Sequence, residues 1–228
     1  MLFNVLNTLF RGGHVDFLSV LAQIISIVFV ILCILPLHEF AHGWVAYKLG
    51  DPTAKMAGRL TFNPLASVEP MGALALLLFG FGWAKPVPVN SSYFKKPKRD
   101  MAITALAGPV SNLLAALVGA VILVTVSVFL PYNWIVSFLV SFLSYYVIIN
   151  ISLAVFNLIP MPPLDGSRIL AAFLPDRMVY QYYRYQNIIM LAVFVLLFTG
   201  VLSRPLGWLT TQVYNGIMNL AALPFSFA

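Results

Sequence analysis

Long apolar segments dominate the chain, and the charged residues collect in the connections between them. The first segment has no charged residue from Phe17 to Leu37 and stays apolar as far as Leu49. As a single helix it would be about 50 Å long, which exceeds a hydrocarbon core of about 30 Å. We therefore expect this helix to tilt, kink or protrude. Pro36 lacks a backbone donor and could supply a kink, although it fits an ordinary proline of a membrane helix equally well.

Two further uncharged segments are long enough to cross a bilayer as helices, Met101 to Leu130 and Trp134 to Asn157. Two C-terminal apolar segments follow, at Ile188 to Leu202 and at 205–223. The pattern predicts an all-α polytopic membrane protein with about four to five transmembrane helices. We expect residues 1–228 to form a single membrane-embedded domain, with a core at about 17–170 and C-terminal helices at about 185–223.

The connection between the first two long spans, residues 51–100, holds seven of the thirteen basic residues, which predicts a cytoplasmic location by the positive-inside rule. Within it, Met71 to Ala84 is apolar but too short to cross, as is typical of a re-entrant segment. Gly80 and Gly82 oppose a helix, and the alternation of valines and prolines that follows favours an edge strand. We therefore predict a re-entrant β-like loop near the active site. An amphipathic hairpin fits the same residues.

Composition excludes the soluble and nucleic-acid-binding classes of protein. Of 228 residues, 61% are hydrophobic and only 9% are charged, and the mean hydropathy is +0.93. These values are incompatible with a soluble globular domain. The net charge of +6 comes from residues in the connecting segments, where basic side chains set membrane topology. We therefore expect the lipid bilayer as a partner, and we expect no binding of nucleic acid.

A metal-binding pattern lies within the first apolar segment, as His38-Glu39-Phe40-Ala41-His42. On a helix, two histidines four positions apart project from one face and can reach one metal ion. Glu39 lies beside that face and can serve as a general base toward water at the metal. The alternative is a solvated helix face. A membrane-spanning helix makes that alternative costly, because charged side chains there are expensive.

Asp165 is the candidate for a third ligand. It follows an uncharged run from Met101 to Leu164 and lies among prolines that fix the backbone. Counting two spans between the histidines and this residue returns it to the side of His42. The alternative is an N-cap for a helix that starts at Ser167. His14 and Cys33 are poorly placed, and Glu69, in a loop, is the next candidate.

Several motifs together carry a resemblance to a known family. The chain resembles the site-2 protease family of intramembrane zinc metalloproteases in its short form, through His38-Glu39-x-x-His42, Asn157-x-x-Pro160, Leu164-Asp165-Gly166, residues 58–65, residues 80–90 and residues 107–112. The resemblance covers about residues 35–170. It implies one zinc ion per chain held by His38, His42 and Asp165, with Glu39 as the general base. It also implies that Asn157 lies beside the scissile peptide.

The chain departs from the family pattern at one point. After Asn63-Pro64-Leu65 such sequences usually carry a histidine and then an aspartate, whereas this chain reads Ala66-Ser67-Val68-Glu69. No ligand or base is lost, but the local polar network differs. Asn112 is a polar residue in a predicted membrane helix, where it could either form a packing hydrogen bond or support His38 or Glu39.

The function expected from these residues is zinc-dependent hydrolysis of peptide bonds within or beside transmembrane segments, at an active site toward the cytoplasmic side. The loop with Gly80 and Gly82 would capture an unwound substrate strand. The resemblance implies single-pass regulators or signal-peptide remnants as substrates. The alternatives are a metal transporter or sensor that uses the same three ligands, and a catalytically inactive binding protein. A transporter would show several ion sites or repeated halves, and the intact Glu39 speaks against an inactive protein.

Overall fold

The described part of the chain is almost entirely helical. The computed structural model describes residues 16–79 and 83–225. Its α-helices, in chain order, are α1 (Phe17–Phe29), α2 (Leu35–Lys48), α3 (Thr53–Met56), α4 (Pro64–Ser67), α5 (Pro70–Phe79), α6 (Pro97–Phe129), α7 (Trp134–Asn157), α8 (Asp165–Ala171), α9 (Asp176–Arg184), α10 (Gln186–Phe198) and α11 (Ser203–Ala222).

The first long helix contains a π-helical stretch just before its metal-binding pattern. The helix α1 runs without a break through the π-helix Val30–Ile34 into α2, and the N–H of Leu35 donates to the carbonyl of Val30. Pro36, at the start of α2, has no N–H with which to continue an α-helical ladder. The irregularity of this helix is thus a π-helix that ends two residues before Pro36, where the sequence had left open a kink or an ordinary proline.

Three helices of the described chain are long and apolar enough to cross a membrane, judged by length and composition: Phe17–Lys48, Pro97–Phe129 and Trp134–Asn157. The C-terminal helices do not meet these criteria. The helix α10 has 13 residues, so its length is about 20 Å and falls short of a hydrocarbon core of about 30 Å. The helix α11 has 20 residues but does not reach the hydropathy of a spanning helix. The expected number of four to five crossings thus remains a prediction.

Small residues bring α6 and α7 close together. Ala116 and Ala120 of α6 are fully buried against Val147 of α7, and Ile217 of α11 joins the same cluster. A Cβ at Gly119 would lie 2.5 Å from the ring of Tyr146. Glycine is therefore required at this position for the observed approach of the two helices.

The first long helix packs against the other side of this helix pair. Ile27, Val30 and Ile34 form a buried cluster with Ile149 and Leu153 of α7. The contact extends along α2, whose face with His38 and His42 lies against α6. The three long helices therefore form the scaffold that holds the candidate site.

The connection between α2 and α6 folds back on itself through short elements. Val68 and Ala84 form an isolated antiparallel bridge, and the N–H of Lys85 donates to the carbonyl of Ser67 at 2.8 Å. The described residues 83–90 contain no strand at Val87 or Val89, where the sequence favoured one. Gly80 and Gly82 lie outside the described residues, so the predicted β-like loop is described only on its two flanks.

Candidate metal centre

The side chains of His38, His42 and Asp165 converge at one point in the protein interior. The Nε2 atoms of the two histidines, one turn apart on α2, lie 3.0 Å from each other. The Oδ2 atom of Asp165 lies 3.3 Å from Nε2 of His38 and 3.2 Å from Nε2 of His42. Both histidines are buried. The structure thus brings together the three residues that the sequence proposed as a ligand set. Among the described residues, these three form the cluster that could hold a metal ion.

Asp165 does not cap a helix, which was its alternative role. The helix α8 begins at Asp165 itself, and its N-cap residue is Leu164 without a capping side chain. The Oδ2 atom of Asp165 is buried and accepts no hydrogen bond among the described residues. Burial alone would raise the pKa of this carboxyl, but the two neighbouring imidazoles hold its pKa below the usual range. The side chain is therefore an unpartnered carboxylate aimed at two imidazole nitrogens.

These distances fit a tetrahedral metal site. Zinc binds nitrogen and oxygen at about 2.0–2.2 Å, so that two ligand atoms of a tetrahedron lie about 3.3 Å apart. The observed separations of 3.0, 3.2 and 3.3 Å form such a triangular face. Two imidazoles with one carboxylate are also a ligand set that zinc uses in hydrolases, with a fourth position left open. The residues present therefore fit a zinc ion.

Groups on α6 orient both imidazoles. The Nδ1 atom of His42 lies 2.7 Å from the backbone carbonyl oxygen of Thr104, and Nδ1 of His38 lies 3.3 Å from Oδ1 of Asn112. Each Nδ1 can donate its hydrogen to these acceptors, which leaves each Nε2 with a free lone pair for a metal ion. Asn112 thus faces His38, one of the two supporting roles that the sequence allowed.

Gly108 makes room for the two histidines on the same face of α6. Thr104, Gly108 and Asn112 are spaced four residues apart, so they form one row on the helix. A Cβ at Gly108 would collide with Nε2 of His42 and would lie 2.5 Å from Nε2 of His38. In the sequence this glycine lies within one of the motifs that carry the family resemblance, residues 107–112, but its contact with the histidines was not predicted. Absence of a side chain at Gly108 is what lets α2 approach α6 at the ligand atoms.

Glu39 points into the site cavity. Its side chain is buried, and its Oε2 atom accepts a hydrogen bond from the backbone N–H of Val87 at 2.8 Å. The cavity has a volume of about 200 Å³. Its walls come from α2, the segment 83–87, the end of α7 and the start of α8; they include Leu35, His38, Glu39, His42, Trp83, Pro86, Val87, Asn157, Asp165 and Arg168. A carboxylate and a candidate metal centre therefore share one small cavity.

The remaining candidates have varied positions. Asn157 lines the cavity, and its Nδ2 atom donates to the carbonyl of Leu153 at 3.0 Å. Glu69 accepts a hydrogen bond from the N–H of Gly72 at 2.5 Å, which caps the start of α5. Cys33 is exposed on the π-helix. Gly80, Gly82 and His14 lie outside the described residues.

Asp51 anchors the loop beside the site. It is fully buried and accepts hydrogen bonds from the N–H of Asn90 at 2.7 Å and from the N–H of Thr53 at 2.9 Å. With the bonds of Lys85 to Ser67 and of Val87 to Glu39, the segment 83–90 is held at three points. The sequence carries no signal for the backbone donors, because every residue except proline has one.

Comparison with known proteins agrees with this geometry. The sequence model of Peptidase family M50 matches residues 26–200. The chain is 45% identical to the candidate zinc metalloprotease YwhC of Bacillus subtilis over 142 residues, which cover 61% of this chain and 64% of that protein. It is 31% identical to the candidate zinc metalloprotease Rip2 of Mycolicibacterium smegmatis over 186 residues, 78% of this chain and 67% of that protein.

A third similar protein is Rip2 of Mycobacterium tuberculosis, which is 31% identical over 153 residues, 65% of this chain and 56% of that protein. The matched regions thus span about two thirds or less of these curated relatives. No solved structure matches the chain. The family model covers most of the residues, including His38, His42 and Asp165. The chain therefore belongs to peptidase family M50, the family of the site-2 proteases.

Proposed function

We propose that this protein is a zinc-dependent intramembrane endopeptidase. The observation that carries the proposal is the convergence of three ligand atoms within 3.0–3.3 Å of one another, in a cavity shared with Glu39. His38, His42 and Asp165 hold one zinc ion per chain. When bound, zinc supplies a Lewis acid that activates water for attack on a peptide carbonyl.

Glu39 is the general base. Its Oε2 atom, held by the N–H of Val87, accepts the proton of the attacking water and later returns it to the leaving amine. Asn112 and the carbonyl of Thr104 keep the two imidazoles in the tautomer that presents Nε2. These contacts on α6 fix the ligands before substrate arrives, as a preorganised site requires.

The substrate peptide lies along residues 83–90, in the proposed arrangement, with the scissile bond beside Asn157. Trp83, Pro86 and Asn157 line the cavity and provide this contact surface. The loop with Gly80 and Gly82 completes the capture of an unwound strand, since a helical peptide shields its carbonyl groups. The substrates are transmembrane segments of membrane proteins or signal-peptide remnants.

The proposed organisation is a single multi-pass domain over residues 1–228. The core at about 17–170 carries the site, and the C-terminal helices at about 185–223 bring the number of crossings to four or five. The basic connection at residues 51–100 lies in the cytoplasm, and the active site faces the same side. Water reaches the cavity most directly from that side.

A paired measurement tests the function. The purified protein, reconstituted in vesicles with a single-span model substrate, is assayed for cleavage with zinc and after zinc removal by a chelator. The same vesicles are assayed for uptake of radioactive zinc. We expect zinc-dependent cleavage without uptake. Uptake without cleavage would establish a transporter instead, and neither activity in a zinc-loaded sample would overturn the proposal.

A further inference from the structure

A second, larger concavity lies outside the site cavity, between the first turns of α6 and the helix α8. This groove has a volume of about 730 Å³ and opens to the surface. One end carries basic side chains and the rest is apolar. The basic end consists of Lys96, Lys98 and Arg99, and the apolar walls include Ile103, Leu106 and Phe173.

The basic end carries a surplus of positive charge. Lys98 forms an ion pair of 2.7 Å with the exposed Asp176, and Arg99 pairs with the buried Asp100 at 2.7 Å. Lys96 forms no ion pair with any of the described carboxylates. Both ion-paired cations also remain partly exposed. The groove therefore presents donors for an anion, including the ammonium group of Lys96, which forms no ion pair among the described residues.

An apolar stripe continues from the basic end along α6. It consists of residues at intervals of three and four, which lie on one helix face, and each is between 41% and 60% exposed: Ile103, Leu106, Val110, Leu114 and Val118. Phe173, on the opposite wall, is 82% exposed. A ligand with a charged head and a long apolar tail would match the basic end and the stripe together.

The length of α6 allows the groove to lie at the depth of lipid headgroups. With 33 residues, α6 is about 50 Å long, so its ends extend beyond a hydrocarbon core of about 30 Å. The Nζ atom of Lys98 also donates to the carbonyl of Leu174 at 2.8 Å, which ties the start of α6 to the turn before α9. The helix α9 carries the exposed Tyr180 between basic residues, a composition typical of the membrane interface.

We propose that the groove is a binding site for one anionic phospholipid. Its phosphate is held by Lys96, Lys98 and Arg99, and an acyl chain follows the stripe that starts at Ile103. The lipid would contact both α6, which orients the two histidines, and α8, which begins with Asp165. Binding in the groove thus links the lipid composition of one leaflet to the two helices that frame the site. The binding site itself does not depend on the proposed peptidase activity.

The test is lipid retention by the full chain. Native mass spectrometry is applied to protein released from micelles that contain equal amounts of phosphatidylglycerol and phosphatidylcholine with identical acyl chains. We expect one retained phosphatidylglycerol and little phosphatidylcholine. A basic residue near a membrane surface contributes about 1 kcal/mol toward anionic lipid, so Lys96→Gln should lower retention about fivefold, and Lys96→Gln with Lys98→Gln more than tenfold.

Lys95→Gln combined with Lys85→Gln is the matched control, because it removes the same net charge from residues that do not line the groove. It should retain the lipid as the unmodified chain does. If loss of the Lys98 ion pair impairs folding of the double variant, Lys96→Gln alone tests the proposal. Soluble glycerophosphoglycerol in excess should not displace the lipid, because it lacks the acyl chain that follows the stripe. Equal retention of both lipids, or equal losses in the groove and control variants, would show that the groove is no lipid site. Displacement of the lipid by an acidic peptide at similar concentration would assign the groove to a peptide instead.

Discussion

The carboxylate of Glu39 and the backbone of Val87 are joined by a hydrogen bond, with 2.8 Å between Oε2 and the nitrogen. This bond fixes the carboxylate of α2 against a segment that is 48 residues distant in sequence. The bond also holds the Glu39 carboxylate at the wall of the cavity that contains the candidate metal centre. A glutamine at position 39 could accept the same hydrogen bond through its carbonyl oxygen, so its side chain would keep its place without being a base.

Glu39→Gln should therefore separate metal binding from catalysis. We expect the variant to keep its zinc, since the three ligands and the bond to Val87 remain. Its peptidase activity should fall by at least about a hundredfold, the lower range of a lost general base. The measurement is zinc per protein by mass spectrometry, beside cleavage of a membrane substrate. Full activity at equal zinc content would remove Glu39 from the mechanism.

Asp165→Ala should lower zinc content and activity together. The substitution removes the unpartnered Oδ2 atom and leaves two imidazoles, which hold zinc far less firmly. Asp165→Asn keeps the shape without the charge and should give an intermediate zinc content. Asp176→Ala is the control, because this carboxylate is exposed and pairs with Lys98. Zinc is measured after purification in detergent without added metal; wild-type zinc in Asp165→Ala would rule out this residue as a ligand.

Asn112→Ala and Thr104→Val should differ, although both residues face the histidines. Removal of the Asn112 amide leaves Nδ1 of His38 without its acceptor, and loss of such a partner lowers metal affinity by about 10–100-fold. Thr104 contacts His42 through its backbone carbonyl, and its hydroxyl is buried without a partner. Thr104→Val should therefore keep its zinc. Competition with a zinc-binding dye measures both affinities, and equal losses would contradict the assigned contacts.

Gly108→Ala should expel the metal. The new Cβ would collide with the ligand nitrogens of both histidines, so α2 and α6 would have to separate. Gly216→Ala on α11 is the matched control, because a Cβ there meets nothing within 4 Å. We expect loss of zinc in the first variant and none in the second. Zinc retention by Gly108→Ala, at unchanged affinity, would mean that the two helices approach less closely than described.

The basic stretch around the start of α6, from Lys95 to Arg99, provides a test of orientation. In a Cys33→Ser background, Lys95→Cys places one thiol in this stretch. By the positive-inside rule a membrane-impermeant maleimide should label it only after the cells are opened. Labelling in intact cells would place the stretch, and the site cavity with it, on the outer side.

The sequence predicted which three side chains would come together, but not the backbone groups that orient them. The spacing of His38 and His42 fixed their common face, and the apolar run before Asp165 made its carboxylate conspicuous. The carbonyl of Thr104 and the N–H of Val87 have no such signature, because backbone groups are alike at every residue. Their roles depend on which helices and loops meet. The same holds for the start of α8, which the sequence allowed at Ser167 and which lies at Asp165.

Segment 83–90 has few backbone donors left for a second strand. Pro86 and Pro88 have no N–H, and those of Lys85, Val87 and Asn90 are bound to Ser67, Glu39 and Asp51. Between Lys85 and Asn90, only the N–H of Val89 has no partner among the described residues. An open sheet edge pairs with strands of other chains through its row of free donors and acceptors. If this segment receives an unwound peptide, as proposed, it offers that peptide too few donors for a continuous ladder, which also limits the growth of an aggregate on this surface.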